Sequence, residues 1–287
     1  MPELPEVETV VRTIRPQLVG KELASVQRGA HDLRRPWRPS SEQLLKKPRR
    51  ILDVLRRGKW IIATLEGELA LLLHLGMTGR LRVVPASEPL EPHTHLRFGL
   101  RPDRQELRFQ DVRRFGSAEL LSAAELEDVL GPDRLGPEPF DLQPEQFWAS
   151  LHGTARCLKA VLLDQTVVAG VGNIYADEAL FEARLHPARA ACKLRREEAD
   201  RLLASISQVL RRAIDLKGST IRNFVYGVDG RGAFQDEFQA YGRTGLPCPR
   251  CEAPIHCIRL AGRSTHYCPL CQKQRPASTK ARKLVTA

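Results

Sequence analysis

Residues 1–6 (MPELPE) place a potential nucleophile next to an acid. If Met1 is removed, as is common before a small second residue, Pro2 presents a secondary amine with a pKa of about 7.7 to 8.0, like other α-amino groups. Part of that amine is then unprotonated near neutral pH and can attack an electrophilic carbon. Attack on a sugar carbon can give an iminium, and the Glu3 carboxyl can move the protons that this step requires.

The same segment also suits a purely structural role. Pro5 is favoured in the first turn of a helix, and Glu3, Glu6 and Glu8 suit the positive end of a helix. A helix over about residues 5–18 is predicted by apolar residues at helical spacing: Val7, Val10, Val11, Ile14 and Leu18. The nucleophile would lie at the tip of this helix, and the six residues alone leave both interpretations open.

Four of the seven cysteines form two CxxC pairs, Cys248 with Cys251 and Cys268 with Cys271. This spacing predicts one tetrahedral Zn²⁺ held on the two knuckles of a β-hairpin. Four thiolates leave no open position for a catalytic water, so the zinc should be structural. An odd cysteine count arranged in this way indicates metal binding in a reducing cytoplasm rather than disulfides.

Composition narrows the class of partner. The chain has 287 residues, 42% hydrophobic and 28% charged, with a net charge of +11 and a pI near 9.6. This length allows two domains, and the basic charge favours a polyanionic partner. The longest apolar run, 69–75, is strand-sized, whereas a membrane span needs about 20 residues. With an acidic N-terminus and no secretory signal, we expect a cytoplasmic protein without a membrane partner.

The pattern of elements predicts an α+β protein of two domains. Short strands are predicted at 51–55, 60–65, 69–75, 81–84, 95–100, 106–110 and 116–121, and helices at 121–130, 144–152, 158–164, 176–183 and 196–216. Residues 1–135 should form the N-terminal helix and an antiparallel β-sandwich or flattened barrel, and 136–238 a helical domain. Residues 239–273 should form the zinc hairpin, and 274–287 a disordered basic tail.

Several polar residues interrupt this structural pattern. Lys59 stands at the entry to a strand, where it could reach a phosphate or assist proton transfer, or simply be solvated. Met77 follows His74 in a glycine-flanked turn and could sit at a loop tip, although methionine often fills core gaps. Arg113 and Phe115 could wedge into a base stack, or be a surface cation and a core ring.

Two further segments suit phosphate. His93 lies beside the start of a strand, where it could touch phosphate or cap the strand. Gly170 and Gly172 lead into a helix and expose backbone amides that could hold a phosphate beside Asn173. A dinucleotide-binding fingerprint fits poorly, because the third glycine and the preceding strand are missing.

In their joint order, these motifs strongly resemble the bacterial formamidopyrimidine-DNA glycosylases. The segments that carry the resemblance are 2–8 (PELPEVE), the Lys59 segment, 74–77 (HLGM), 113–116 (RRFG), 136–139 (GPEP), 170–175 (GVGNIY) and 263–272. The resemblance spans nearly the whole chain. It implies a helix on a β-sandwich, then a helix-two-turn-helix domain and a zinc-finger β-hairpin.

The resemblance also implies a bifunctional base-excision repair enzyme acting on double-stranded DNA. Pro2 would attack the sugar C1′ of an oxidised purine nucleotide, displacing 8-oxoguanine or a formamidopyrimidine, and would also act at abasic sites by β,δ-elimination. Glu3 would donate the proton. Lys59 would assist β-elimination, and Arg263 would assist δ-elimination and bind phosphate. The family implies a monomer.

Further residues match family contacts with DNA. The implied DNA-binding set is His74, His93, Arg113, Lys159, Asn173 and Tyr241. Segment 153–156 is less lysine-rich than we expect from the family, so the phosphate contact there is expected to shift to Arg156 or Lys159. Met77, Arg113 and Phe115 would be inserted into the duplex, with Arg113 facing the orphaned cytosine. A loop over the flipped base would include Ser219, Thr220 and Arg222. Val112 departs from the proline that we expect in many relatives, which leaves the rigidity of the insertion loop open.

Two alternatives remain at the level of sequence. An endonuclease VIII-like relative would remove oxidised pyrimidines, but Leu4 and the insertion set argue against it, because that branch typically has glycine after the first glutamate. A non-catalytic zinc-ribbon DNA-binding protein would need only the basic charge and the CxxC pairs. The N-terminal amine of such a protein would have no catalytic role.

Overall fold

Helix α1 spans Leu4–Leu18 in the computed structural model, which describes residues 1–220 and 230–274. The predicted amphipathic helix is confirmed, since its apolar stripe is buried from Leu4 to Leu18. The helix begins where the Glu6 carboxylate accepts a hydrogen bond from the Glu3 N–H (2.9 Å), with Pro5 in the first turn. The chain is therefore helical from Leu4 onward, directly after Glu3 at the N-cap.

Eight antiparallel strands follow in the first half of the chain. They are β1 (Glu22–Arg28), β2 (Arg49–Arg57), β3 (Trp60–Leu65), β4 (Leu69–His74), β5 (Gly79–Pro85), β6 (Thr94–Arg101), β7 (Gln105–Asp111) and β8 (Ser117–Ser122). Their order is β5-β7-β6-β1-β2-β3-β4-β8. The two four-stranded halves join through only two residue pairs between β1 and β2, and share one core with α1. This confirms the predicted helix on a β-sandwich.

Two elements here were not predicted from the sequence. In β1 only Leu23 is fully buried, so the strand lacks the apolar alternation that marks a half-buried strand. The short helix α2 (Pro39–Leu44) has one buried residue, Ser41, and no apolar stripe. Both elements therefore form through contacts with neighbouring segments and have no apolar pattern of their own.

The second half is helical. Its helices are α3 (Ala123–Leu130), α4 (Pro144–His152), α5 (Leu158–Leu163), α6 (Asn173–Glu182) and α7 (Arg196–Asp215). The core of this half contains Phe147, Tyr175 and Leu202, and Leu4 from the N-terminus packs into it. Helix α6 begins three residues before the predicted 176, because a group from outside the helix satisfies its first amides. No helix in the described ranges is long and apolar enough to cross a membrane.

The last two strands in the described part of the chain, β9 (His256–Leu260) and β10 (Arg263–Tyr267), form a hairpin. Strand β10 lies along α6. The Asn173 side-chain amide donates to the Ser264 carbonyl (3.1 Å), and the Asp177 carboxylate accepts from the His266 N–H (2.8 Å). Hydrogen bonds to the first two turns of α6 thus fix the hairpin against the helical half.

Candidate active site

The Glu3 carboxylate lies against the first turn of α6. Glu3 is 2% exposed, and its Oε1 accepts a hydrogen bond from the Ile174 N–H (2.9 Å) while Oε2 lies 3.4 Å from the Tyr175 nitrogen. The first N–H groups of a helix have no partner within it, so this carboxylate from α1's N-terminus serves as their cap. Gly172 precedes the helix and leaves room for Glu3, because an ideal Cβ there would lie 2.3 Å from Glu3 Cδ.

Glu6 connects α1 to two other segments. Its Oε1 accepts from the Tyr175 hydroxyl (2.6 Å), the Ser219 N–H (2.7 Å) and the Ser219 hydroxyl (2.9 Å), while Oε2 accepts from the Glu3 N–H. The sequence indicated only a helix-end role for Glu6. Its tertiary role could not be read from the N-terminal segment, because its partners lie more than 160 residues away.

Lys59 reaches the same place from the β-sandwich. Its side chain is 7% exposed, and its Nζ donates to the Val171 carbonyl (2.9 Å). The neighbouring Gly170 carbonyl accepts from the Leu4 N–H (3.1 Å), and the Gln165 amide holds both peptides of this turn. The 170–172 turn is therefore hydrogen-bonded to the start of α1 through Leu4 and to the β-sandwich through Lys59.

Electrostatic interactions are consistent with these groups lying close together. The Met1 amine, one residue before Pro2, is acted on by four charged groups, namely Glu3, Glu6, Lys59 and Arg263. Burial is the main cause that lowers the pKa of this amine, and burial also lowers the pKa of Lys59. Burial raises the pKa of Glu3, against the opposing effects of Lys59 and the Ile174 amide. Burial thus shifts each of these groups toward its uncharged form.

Arg263 begins β10 on the exposed side of the hairpin, close enough to act on the amine and on Lys59. Asn173 starts α6 and is fixed to the hairpin backbone, while its Oδ1 is buried without a hydrogen-bond partner. The structure therefore brings Pro2, Glu3, Lys59, Asn173 and Arg263 to one region between the sandwich and the helical half. Such a cluster suits amine attack on a substrate whose anionic groups are held by Arg263, while Glu3 occupies the first amides of α6.

Lys159 needs a correction. It is 0% exposed, and its Nζ bonds to the Asp177 carboxylate and to the Asn173 carbonyl (2.8 Å). An ammonium that is fully buried and paired cannot reach a DNA phosphate, so the expected direct contact does not fit. Through Asp177, which also accepts from His266, Lys159 instead links α5, α6 and β10.

The side chains expected to enter a duplex lie on two neighbouring turns of the sandwich. Met77 is 37% exposed and Phe115 is 45% exposed. The Arg113 guanidinium stacks on the Phe115 ring, 4.7 Å from its centroid. His93 is exposed beside them. A cleft of about 490 Å³ is lined by Arg113, Phe115 and residues 32–34.

His74 is held at the base of the Met77 turn. Its Nδ1 accepts from the Gly76 N–H (3.0 Å), and its ring packs edge-on against Trp60 at 4.7 Å. Burial, then the nearby cations Lys59, Arg34 and Arg35, lower its pKa to about 4. A neutral imidazole that accepts a backbone hydrogen bond positions the turn more readily than it binds a phosphate.

The remaining predicted residues fall near the hairpin and the lesion loop. Tyr241 is half-buried, packs edge-on against His266 at 5.0 Å, and donates its N–H to Glu178. Ser219 is bonded to Glu6, and the Thr220 hydroxyl accepts from the Gly232 N–H (2.8 Å). Arg222 and the tail from 275 onward lie outside the described residues.

The four predicted metal ligands come together. The sulfur atoms of Cys248, Cys251, Cys268 and Cys271 all lie within 4.8 Å of one another. Two of these separations are 3.4 and 3.9 Å. A tetrahedral zinc with Zn–S bonds of about 2.3 Å needs sulfurs about 3.8 Å apart, so the quartet fits zinc and fills its coordination shell.

Three family models match consecutive parts of this chain. The formamidopyrimidine-DNA glycosylase N-terminal domain matches residues 1–118, and the H2TH domain of the same enzymes matches 130–225. The zinc finger found in FPG and IleRS matches 245–274. The chain belongs to the formamidopyrimidine-DNA glycosylase family. With the family come a base-excision glycosylase activity, an abasic-site lyase activity and one structural zinc.

Relatives match over their whole length. The formamidopyrimidine-DNA glycosylase of Thermomicrobium roseum is 45% identical, covering 95% of this chain and 99% of its own. The Thermus thermophilus enzyme is 46% identical over 96% and 100%, and its crystal structure superposes with a TM-score of 0.84. A Lactococcus lactis FPG mutant bound to DNA containing Fapy-dG is 37% identical over 95% and 100%, with a TM-score of 0.86.

Proposed function

We propose that Pro2 is the nucleophile of a glycosylase that removes oxidised purines from duplex DNA. The observation that carries the proposal is that Glu3, Glu6, Lys59 and Arg263 all lie close enough to act on the amine of Met1, the residue bonded to Pro2. Pro2 itself is buried and follows Met1. Removal of Met1 would expose its secondary amine within that cluster.

Each step can be assigned to a group in the site. The Pro2 nitrogen bonds to C1′, and the C1′–base bond breaks with its electron pair leaving on the base, which takes the proton that the Pro2 nitrogen loses. The sugar ring then opens at C1′–O4′, the nitrogen lone pair forms the iminium, and the released oxygen takes the Glu3 proton. Lys59 would then assist removal of the C2′ proton, so that the C3′–O bond to phosphate breaks.

Phosphate recognition falls to the cations and amides around this cluster. Arg263 on the hairpin and Asn173 at the start of α6 flank the turn that holds Glu3. His93, on the sandwich side, would contact the backbone of the same duplex. A net charge of +11 supports tight, salt-dependent binding of DNA.

Base extrusion would be assisted by Met77, Arg113 and Phe115. Chemistry at C1′ requires the nucleotide to rotate out of the stack, at a cost of a few kcal/mol. Exposed apolar side chains that fill the vacated space offset part of this cost. Ser219, Thr220 and Arg222 belong to the loop that we assign to the flipped base.

Oxidised purines are supported as substrates over oxidised pyrimidines. The DNA in the solved Lactococcus lactis complex carries a Fapy-dG, which is an oxidised purine lesion. In this chain the Leu4 side chain is fully buried and packs against Gly170, since an ideal Cβ on Gly170 would lie 2.7 Å from it. The endonuclease VIII-like branch typically has glycine in place of Leu4 and would lack that contact.

The domain boundaries and the location in the cell are part of this proposal. We assign 1–135 to the sandwich domain, 136–238 to the helical domain, 239–273 to the zinc hairpin and 274–287 to a basic tail. Four zinc-binding thiolates suit a reducing cytoplasm, and a monomer would expose the whole DNA face.

Borohydride trapping tests the proposal. The enzyme is incubated with duplex DNA carrying one 8-oxoguanine opposite cytosine, reduced, digested and mapped by mass spectrometry. We expect a covalent adduct on Pro2 that is lost in Pro2→Gly or behind an uncleaved N-terminal tag, and retained in Pro92→Gly, an exposed proline elsewhere.

Other outcomes would redirect the assignment. An adduct only with an oxidised pyrimidine would assign the protein to the endonuclease VIII-like branch. DNA binding without an adduct on any lesion or abasic site would leave a binding protein.

A further inference from the structure

The two turns that carry the insertion residues touch through their backbones. The first turn, 75–79, follows β4 and carries Met77, and the second, 112–116, follows β7 and carries Arg113 and Phe115. An ideal Cβ on Gly76 would lie 2.5 Å from the Gly116 nitrogen, and Gly76 has a φ of +59°. Only glycine permits this contact, so the turns are placed relative to each other by main chain.

One buried carboxylate bonds to both turns. Asp111 is 0% exposed, and its Oδ1 accepts hydrogen bonds from the Thr78 hydroxyl and the Arg113 N–H (3.2 Å). Its Oδ2 accepts from the Gly116 N–H (2.7 Å). Thr78 follows Met77 directly, and the other two donors flank Phe115. All three donors therefore belong to the turns rather than to the sheet.

The main chain of Asp111 fixes this carboxylate to the sandwich. Its N–H donates to the His93 carbonyl (3.0 Å), and its carbonyl lies 2.9 Å from the buried His95 Nε2. The Arg114 N–H also donates to that carbonyl (3.2 Å). Asp111 thus ends β7 as a rigid point from which both turns project.

Met77 and Phe115 are large apolar side chains left exposed at 37% and 45%. Packing in the free protein therefore cannot set their positions, and the backbone beneath them must do so. Burying a carboxylate is costly unless hydrogen bonds compensate, and here the compensating bonds come from these two turns. Such an arrangement trades stability for a fixed geometry.

We propose that Asp111 is a positioning residue for duplex insertion. It holds the Met77 turn and the Arg113–Phe115 turn at one spacing, so that the three side chains enter the base stack together. The inference rests on the proposed insertion role of that trio. Asp111 touches neither the substrate sugar nor the amine, and it should not affect the chemistry at C1′.

The test compares Asp111→Asn with wild type in two reactions. Asparagine keeps the size but turns an N–H₂ toward groups that are themselves donors. We expect excision of 8-oxoguanine from duplex under single turnover to slow about tenfold or more, since small misplacements cost that much. The fluorescence rise of a 2-aminopurine beside the lesion, which reports unstacking, should be largely lost. Borohydride trapping on a single-stranded abasic oligonucleotide, which needs no insertion, should be unchanged.

Three further variants separate positioning from folding. Thr78→Val removes one donor and should reproduce the defect more weakly, whereas Thr78→Ser keeps the hydroxyl and should behave as wild type. Asp128→Asn makes the same chemical change on an exposed face of α3 and is the matched control. If Asp111→Asn does not fold, the Thr78 pair carries the test.

The outcomes are distinct. Normal excision and a normal 2-aminopurine signal in folded Asp111→Asn would overturn the proposal. So would equal loss of excision and of single-stranded trapping, which would indicate damage to the reactive centre. Absence of trapping in the wild-type enzyme would instead refute the proposed function. The 2-aminopurine fluorescence would then still show whether Asp111 positions the insertion residues.

Discussion

The Glu3 carboxylate occupies the volume that any side chain at residue 172 would need. An ideal Cβ on Gly172 would lie 2.3 Å from Glu3 Cδ and 2.6 Å from Oε1. The acid and the glycine belong to opposite ends of the site, one before α1 and one before α6. Their contact is the tightest constraint on where the proton donor can be.

Gly172→Ala should therefore displace Glu3 from the α6 amides. We expect single-turnover excision to fall by about 100-fold, because the proton donor and the adjacent amine would both move. Gly153→Ala is the control, since its Cβ would lie 3.3 Å from the Ala149 carbonyl oxygen and 4.0 Å from that of Ser150, and its φ of −72° suits alanine. Equal rates for both variants would show that Glu3 is not held by this contact.

The pH profile of excision should be bell-shaped. The Pro2 amine must be neutral, so activity falls as pH drops below the pKa of that amine, and Glu3 must be protonated, so activity falls as pH rises above its raised pKa. Burial raises the pKa of Glu3, which enlarges the fraction of enzyme in which this acid is protonated. Single-turnover rates across pH should lose the alkaline limb in Glu3→Gln, at a much lower maximum. An unchanged alkaline limb would exclude Glu3 as its origin.

His74 should make folding stability depend on pH. Its folded-state pKa of about 4 lies below the ordinary value of 6.5, so the folded state binds its proton less readily than the unfolded state. Its contribution is present above pH 6.5 and is lost as pH falls toward 4. Between pH 7 and pH 4 we expect the unfolding free energy of wild type to drop by about 2 kcal/mol more than that of His74→Asn. Asparagine keeps an acceptor for the Gly76 N–H without titrating. Urea unfolding at both pH values measures the difference, and parallel losses would contradict it.

Loss of the metal should weaken DNA binding while sparing the sandwich. Cys251→Ser removes one of four ligands, and we expect lower zinc content and at least tenfold weaker binding, because the hairpin that carries Arg263 loses its anchor. Cys257→Ser is the matched control, since Cys257 is an exposed cysteine on β9 outside the quartet. Zinc analysis and fluorescence anisotropy give the two readouts. Full affinity in a zinc-free variant would show that the hairpin holds without metal.

Much of the fold was predictable because its signals are local. The spacing of valines in α1, the alternation in β3 and the CxxC pairs each depend on a few adjacent residues. Strand β1 escaped prediction because one buried leucine makes no pattern, and it exists by pairing with β6 over six residues.

The site was harder to predict, because its contacts join distant segments. The family resemblance implied a phosphate contact for Lys159, yet Asp177 lies across a helix interface that no local pattern reveals. Glu6 was treated as a helix-end residue, and Asp111 was not singled out. Both are buried acceptors whose donors come from elsewhere in the chain.

The way in which Glu3 caps α6 also bears on the energetics of turnover. A proton donor in an apolar pocket would normally be left with an unfavourable negative charge once it has reacted. Here the new carboxylate faces the positive end of a helix and two backbone N–H groups, so the charge produced by the reaction has a stabilising partner already in place. The backbone N–H groups that Glu3 caps thus also stabilise the carboxylate formed by the reaction, and the enzyme need not reorganise to accommodate this negative charge.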